Sequence, residues 1–209
     1  MGPGNVPVFI DDSADIPFAV SNIISSKTFD NGTICASEQA IVVFDSIKLQ
    51  VKAEFERQNC YFLNAEEIAK VEKIAIVTET GSMSAQVVGQ SVSTIAKLAD
   101  IDVPEGTKIL MVMPGGIGRE FPLSGEVLAP ILAFYSAKDY HSAINYCIDL
   151  NYLGGIGHSA CIYSNNEKRI MDYAELLNAG RVLVNTPTSQ GAVGPVSYTH
   201  LTLPTILRV

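Results

Sequence analysis

The chain has 209 residues, of which 47% are hydrophobic and 17% charged, and its formal net charge is −8. This length and apolar content suit one domain with a substantial core, or one domain and part of another. The acidic balance argues against non-specific binding to nucleic acid or to an anionic membrane. Four widely spaced cysteines without a Cys-x-x-Cys pair match neither a zinc site nor a dense disulfide framework. This cysteine pattern fits a reducing cytoplasm and predicts no metal site. The sequence also shows no signal peptide and no apolar run of membrane-spanning length, and we expect a cytoplasmic protein.

Apolar periodicity predicts strands and helices in alternation along the chain. The predicted strands are 6–10, 40–44, 61–63, 108–113, 131–135, 159–163 and 181–184. The predicted helices are 14–27, 47–58, 65–76, 84–98, 139–150 and 167–177. This alternation indicates an α/β fold with a parallel sheet.

Three local features complete this outline. Asp11, Asp12 and Ser13 are expected to cap the first helix. The segment from Gly154 to Gly157 is expected to form a turn, and the last strand, 181–184, is expected to be buried.

The connection between the first helix and the second strand carries Asp30-Asn31-Gly32, a turn signal because Asn and Gly tolerate the left-handed backbone region. Cys35 follows this turn. Backbone N–H groups of a tight turn can lower the pKa of such a thiol and stabilise negative charge beside it. The alternative is that Cys35 behaves as a small half-buried hydrophobe. Local chemistry leaves both interpretations open.

The other cysteines and one histidine lie in less informative contexts. Cys60, Cys147 and Cys161 fall within apolar segments and are expected in the core. His141 falls in a predicted exposed helix, where no functional role is expected.

Several sequence blocks together resemble the CoA-acylating aldehyde dehydrogenases, and most closely the aldehyde dehydrogenase half of the bifunctional aldehyde-alcohol dehydrogenases. The similarity extends from Gly2 to about Gly194. The blocks are Gly2-Pro3-Gly4-Asn5, the segment from Lys27 to Gln39, Glu126-Val127-Leu128-Ala129-Pro130, Ala137-Lys138-Asp139, Gly154-Gly155-Ile156-Gly157-His158 and Asn185-Thr186-Pro187-Thr188-Ser189-Gln190-Gly191.

The resemblance implies that residues 1–194 form the three-layer, Rossmann-like catalytic domain of the aldehyde dehydrogenase superfamily. It also implies that an N-terminal nucleotide-binding domain is missing. Residues 195–209 are expected to be a non-native tail, because 196–205 reverse-translates into a transposon end joined to a sequencing-library adapter. A natural divergent tail is the alternative.

The resemblance also implies a reaction. Cys35 would add to an aldehyde carbonyl, hydride transfer to NAD would leave a thioester on the enzyme, and CoA would release the acyl group. Hydrolytic relatives carry a general-base Glu where this chain has Gly2 to Asn5, and loss of that carboxylate favours CoA over water as the acceptor. The aldehyde and CoA are therefore the expected partners, and the parent protein is expected to be a homo-oligomer.

The family motifs assign further residues to the site. Gly2, Gly4, Asn5 and Glu126 would contribute to cofactor binding, with Glu126 accepting hydrogen bonds from the nicotinamide ribose.

Three more residues are assigned to the substrate or CoA neighbourhood. His158 would orient substrate or shuttle a proton near CoA, unless it is a buried histidine bonded to a backbone carbonyl. Asn185 and Thr186 follow the last strand, where α/β folds place ligands.

The resulting expectation is a fragment of an NAD-dependent oxidoreductase that acts on acetaldehyde and CoA. In isolation the fragment is expected to have little or no dehydrogenase activity. One alternative keeps the chemistry with propionaldehyde or a sulfonated aldehyde. Another is a non-enzymatic Rossmann-like module in which Cys35 is structural.

Overall fold

A computed structural model of the chain describes residues 4–77, 80–154 and 156–193. Gly2 and the predicted tail, 195–209, lie outside the described residues. The strands are β1 Val6–Ile10, β2 Glu38–Phe44, β3 Cys60–Phe62, β4 Ile109–Val112, β5 Ile131–Ala137, β6 Ser159–Tyr163 and β7 Arg181–Val184. The α-helices are α1 Ile16–Thr28, α2 Lys48–Arg57, α3 Ala65–Ala75, α4 Val92–Ala99, α5 Tyr140–Gly154, α6 Glu167–Leu176 and α7 Thr188–Val193. Two 3₁₀ helices cover Phe29–Gly32 and Pro122–Ser124.

The seven strands form one sheet in the order β3-β4-β5-β2-β1-β6-β7, and neighbouring strands are parallel throughout. The central strands β1 and β2 are buried along their whole length, as expected for parallel strands with both faces covered. Alternate side chains feed two cores: Phe9 and Val42 pack on one face, Ile10 and Ile41 on the other. The predicted three-layer α/β fold is therefore confirmed.

In a parallel sheet all strands begin along one side and end along the opposite side. We call these two sides the amino edge and the carboxyl edge. At the amino edge Gly4 and Asn5 lead into β1, the Cys35 segment leads into β2, and His158 leads into β6. The loop that contains Glu126 leads into β5. Four sequence blocks that are distant along the chain are thus brought to the same edge.

The predicted helix at 84–98 is wrong in its first half. The helix α4 begins only at Val92, where the side chain of Ser91 accepts a hydrogen bond from the N–H of Thr94. Gly89, just before it, has a left-handed φ of +66° and donates its N–H to the carbonyl of Leu128. The left-handed backbone of Gly89 and its hydrogen bond to Leu128 prevent an α-helix from continuing across this residue.

The predicted cap of α1 is also wrong. Asp15 is the N-cap, and its carboxylate accepts the N–H of Phe18 at 3.1 Å. The carboxylate of Asp11 instead accepts hydrogen bonds from Ser13, Ser164 and Arg169. These long-range partners satisfy it at the carboxyl end of β1, so it does not turn toward the helix.

Two other boundaries differ from prediction. The helix α5 continues through Gly154, so the expected turn begins later. A buried strand was expected at 181–184. The strand β7 is half-buried because it is the outermost strand of the sheet. Within the described residues, no helix is both long and apolar enough to cross a membrane.

Candidate active site

The turn that precedes Cys35 has the predicted left-handed backbone. Asp30, Asn31 and Gly32 have φ values of 48°, 49° and 77°. At Gly32 a side chain is excluded, since an added Cβ would lie 2.8 Å from the carbonyl oxygen of Ala129. The side-chain amide of Asn31 donates to the carbonyl of Gly89 at 3.0 Å. The turn is therefore held against two loops from later in the chain.

The four cysteines fall into two groups. Cys35 is partly exposed, whereas Cys60, Cys147 and Cys161 are buried, as predicted. Burial raises the pKa of Cys60 and of Cys147 to about 12, and it raises the pKa of Cys161 well above its usual range. A buried thiol that resists ionisation is a poor nucleophile. Cys35 is thus the cysteine suited to reaction with an external molecule.

Gly4 is the point at which three of the predicted site residues meet. An added Cβ would lie 2.7 Å from the carbonyl oxygen of Cys35 and 3.0 Å from the ring of His158. The N–H of Gly4 donates a hydrogen bond of 3.0 Å to Oε1 of Glu126. The structure therefore brings Cys35, His158 and Glu126 together around a position where only glycine fits.

Asn5, also predicted in the cofactor site, is buried beneath this cluster. Its side-chain NH₂ donates to the carbonyl oxygens of Ser124 and Leu150 at 2.9 and 3.0 Å. Gly154 packs so closely that an added Cβ would lie 2.3 Å from the Asn5 Cβ. The amide donors of Asn5 thus hold the approach to β1 in place.

Glu126 is half-buried at the start of the loop that leads into β5. Burial raises the pKa of its carboxyl group, and this effect is opposed by the hydrogen bond from Gly4 and by the positive charge of Lys27. Among the described residues, only its Oε1 accepts a hydrogen bond. The second carboxylate oxygen is left for another donor.

His158 lies half-buried immediately before β6. Its Nδ1 is buried and has no hydrogen-bond partner among the described residues. Burial lowers the pKa of the imidazole, and the nearby charge of Arg181 lowers it further. Both effects favour a neutral ring beside the Cys35 segment.

Asn185 and Thr186 lie elsewhere. Asn185, with a φ of 50°, follows β7 at the carboxyl edge of the sheet, and its amide exchanges two hydrogen bonds of 3.0 Å with the backbone of Ser164. The hydroxyl of Thr186 donates to the carbonyl of Val184. Asn185 is therefore at the opposite edge of the sheet from Cys35, and its amide ties β6 to β7.

Three buried polar residues next to the site were missed in the sequence: Lys27, Glu38 and Gln39. Lys27 ends an amphipathic helix, where a lysine is usually solvated, and no local pattern marks it as buried. A Glu-Gln pair directly before a run of apolar β-branched residues was the available signal for the other two. In the described part of the chain, no group of three His, Cys, Asp or Glu side chains could hold a metal ion.

Comparison with known proteins identifies several that are similar to this chain. A model of the aldehyde dehydrogenase family matches residues 122–198. The aldehyde-alcohol dehydrogenase of Clostridium acetobutylicum is 44% identical over 93% of this chain and 23% of its own length. The sulfoacetaldehyde dehydrogenase (acylating) of Cupriavidus necator is 33% identical over 88% of this chain and 38% of its own length.

A solved structure shows the same fold. An acetylating aldehyde dehydrogenase from Geobacillus thermoglucosidasius superimposes with a TM-score of 0.89 and 47% identity, covering 93% of this chain and 42% of that one. The chain has the α/β fold of the aldehyde dehydrogenase superfamily. The chain is homologous to the acylating aldehyde dehydrogenases. It spans less than a quarter of the length of the aldehyde-alcohol dehydrogenase of Clostridium acetobutylicum.

Proposed function

We propose that this chain carries the nucleophile of an NAD-dependent, CoA-acylating aldehyde dehydrogenase, that Cys35 is that nucleophile, and that acetaldehyde is the substrate. The observation that supports the proposal is the position of Cys35. It is the partly exposed cysteine, it follows the left-handed turn at 30–32, and its backbone carbonyl lies where Gly4, Glu126 and His158 converge. The name of the Geobacillus relative, an acetylating enzyme, supports the acyl chemistry and the two-carbon substrate.

In this proposal the sulfur of Cys35 adds to the carbonyl carbon of the aldehyde, and the carbonyl oxygen takes up a proton to give a thiohemiacetal. Backbone N–H groups of the turn lie on the same segment and would stabilise the developing oxyanion. A neutral His158 beside the turn could accept a proton from the thiol or from the adduct.

The residues present fit the nicotinamide cofactor in one respect. Glu126 has a carboxylate oxygen that accepts no hydrogen bond from the described residues, and a ribose hydroxyl is a suitable donor for it. NAD, when bound, would accept hydride from the adduct on Cys35. The thioester left on Cys35 would then be attacked by the CoA thiol, which forms acyl-CoA and returns the free cysteine.

Aldehyde protection of Cys35 tests this proposal and needs neither cofactor. The chain is alkylated with iodoacetamide at pH 7, with and without acetaldehyde or propionaldehyde, and each cysteine is followed by peptide mass spectrometry. Glutathione serves as the control for uncatalysed thiohemiacetal formation. We expect Cys35 to react faster than glutathione and to be protected at lower acetaldehyde concentrations.

Two results would speak against the proposal. Alkylation of Cys35 no faster than that of glutathione, with no selective protection, would favour the structural role of this thiol. Stronger protection by propionaldehyde than by acetaldehyde would keep the chemistry and change the substrate.

A further inference from the structure

Lys27 is buried in the last turn of α1 with none of its surface exposed. Its Nζ donates to Oε1 of Gln39 at 3.0 Å and to the carbonyl oxygen of Val127 at 3.1 Å. The same Oε1 of Gln39 accepts the N–H of Val127 at 3.1 Å. Three groups from separate parts of the chain are thus joined by three hydrogen bonds, and we call this set the lysine clamp.

The lysine clamp closes two loops at once. Lys27 and Gln39 lie at the two ends of the segment 28–38 that contains Cys35, which we call the cysteine loop. Val127 directly follows Glu126 in the loop 125–130, which we call the Glu126 loop. The ammonium group of Lys27 therefore links the two ends of the cysteine loop, through Gln39, to the Glu126 loop, through Val127.

The charge of Lys27 is also unusual for its surroundings. Burial lowers the pKa of its ammonium group to about 7, although the negative charges of Glu38 and Glu126 oppose this shift. Burial in turn raises the pKa of Glu38, whose carboxylate accepts the N–H of Thr188. Burying a charged amine costs free energy. Here the buried amine has two hydrogen-bond acceptors, and both lie next to the candidate site.

We propose that Lys27 is a positioning residue that couples the cysteine loop to the Glu126 loop and holds Cys35 at its partly buried position. This role deepens the proposed function and rests on it, since the loop concerned carries the proposed nucleophile. Lys27 acts through Gln39 and Val127 and is not assigned a contact with substrate.

The test compares alkylation rates of individual cysteines in Lys27→Met, whose unbranched side chain keeps most of the packing but donates no hydrogen bond. Lys70→Met is the matched control, because Lys70 is a partly exposed lysine that also donates to a backbone carbonyl, that of Asp100. We expect alkylation of Cys35 to rise at least threefold in Lys27→Met and to stay unchanged in Lys70→Met. Cys147 and Cys161 report global unfolding, because they are buried.

A purely structural role for Lys27 gives a different result. If loss of Lys27 only destabilises the fold, alkylation of Cys147 and Cys161 will rise together with that of Cys35. Either this common rise or an unchanged rate at Cys35 would overturn the proposal.

A double-mutant cycle with Gln39→Leu tests whether the clamp acts as a unit. The double variant is expected to show no faster alkylation of Cys35 than the more reactive single variant, because either change opens the same clamp. If the two effects multiply, the residues act independently and the coupling is absent.

The wild-type chain provides a measurement that does not depend on any variant folding. At urea concentrations below the unfolding transition, hydrogen exchange of the Val127 amide and alkylation of Cys35 should increase in parallel, because one opening releases both. Independent increases would contradict the clamp. The aldehyde-protection result stands apart from these rates, so a failed nucleophile and a failed clamp are distinguishable.

Discussion

The backbone N–H of Gly4 donates a hydrogen bond of 3.0 Å to Oε1 of Glu126, although 122 residues separate the two positions. The same glycine lies against the carbonyl oxygen of Cys35 and the ring of His158. Its lack of a side chain is what allows these groups to approach from three different loops. The candidate site therefore depends on a backbone position that carries no reactive group of its own.

Replacing Gly4 with Ala should disturb the site, because the new Cβ would lie 2.7 Å from a backbone carbonyl that cannot rotate away. We expect a loss of about 1–3 kcal/mol in the free energy of unfolding, measured by urea denaturation. Gly125→Ala is a suitable control, since its Cβ would find the nearest heavy atom at 3.4 Å and its φ is −87°. Equal stability losses in the two variants would argue against the close approach at Gly4.

The buried ammonium of Lys27 should make stability depend on pH. Its pKa is about 7 in the folded chain, against 10.5 for an ordinary lysine, so unfolding takes up a proton between these values. Folding is then favoured as pH rises through this window, by up to about 1.4 kcal/mol per pH unit.

The check is urea denaturation of wild type and Lys27→Met at pH 7 and pH 9. The difference in unfolding free energy between the two proteins should shift in favour of wild type as the pH rises. A difference that stays constant would mean that Lys27 keeps its proton throughout.

The carboxyl edge of the sheet contains a second buried charge. The carboxylate of Asp11 is fully buried and accepts hydrogen bonds from Ser13, Ser164 and Arg169. Burial alone would raise its pKa, but these hydrogen bonds together hold the pKa below the usual value of 3.8. Arg169 also covers the rings of Phe44 and Tyr140.

Arg169→Leu should destabilise the chain by about 3 kcal/mol near neutral pH, because it leaves the buried carboxylate of Asp11 without its cation. The loss should shrink as the pH falls through the pKa of Asp11, where protonation removes the unpaired charge. Thermal unfolding across pH 3–7 measures both effects. Lys138→Leu, which breaks an exposed pair with Asp139, should change stability little, and an equal loss there would refute the argument.

The sequence predicted the strands well because each contains a short run of mainly apolar residues, and in Ala40 to Phe44 three of the five are β-branched. The left-handed turn at Asp30-Asn31-Gly32 followed from side-chain chemistry alone. The start of α4 was predicted too early because of a tertiary contact, in which Gly89 donates its N–H to the carbonyl of Leu128. Local propensity contains no information about that partner.

The site shows the same division between local and long-range information. Motif resemblance located Cys35, Gly4, Glu126 and His158, and the structure brings them together at the amino edge of the sheet. The general rule that ligands bind beyond the carboxyl ends of strands pointed to Asn185, which lies at the other edge.

Burial of Lys27 escaped prediction because its partner Gln39 is 12 residues away and Val127 is 100 residues away. A lysine in the last turn of a helix is favourable for the helix dipole whether or not it is exposed. Its burial therefore depends on contacts with distant parts of the chain, among them the Glu126 loop.

The central claim is that Cys35 holds the acyl group as a thioester, which the CoA thiol then attacks. The reverse of this acyl transfer, from acetyl-CoA to Cys35, tests the claim most directly. The chain is incubated with acetyl-CoA, and peptide mass spectrometry locates the acetyl group while released CoA is measured in parallel. The account predicts one hydroxylamine-sensitive acetyl group on Cys35, equal amounts of free CoA, loss of both in Cys35→Ala, and retention of both in Cys147→Ala. Acetylation confined to surface lysines, or unchanged CoA release in Cys35→Ala, would contradict it.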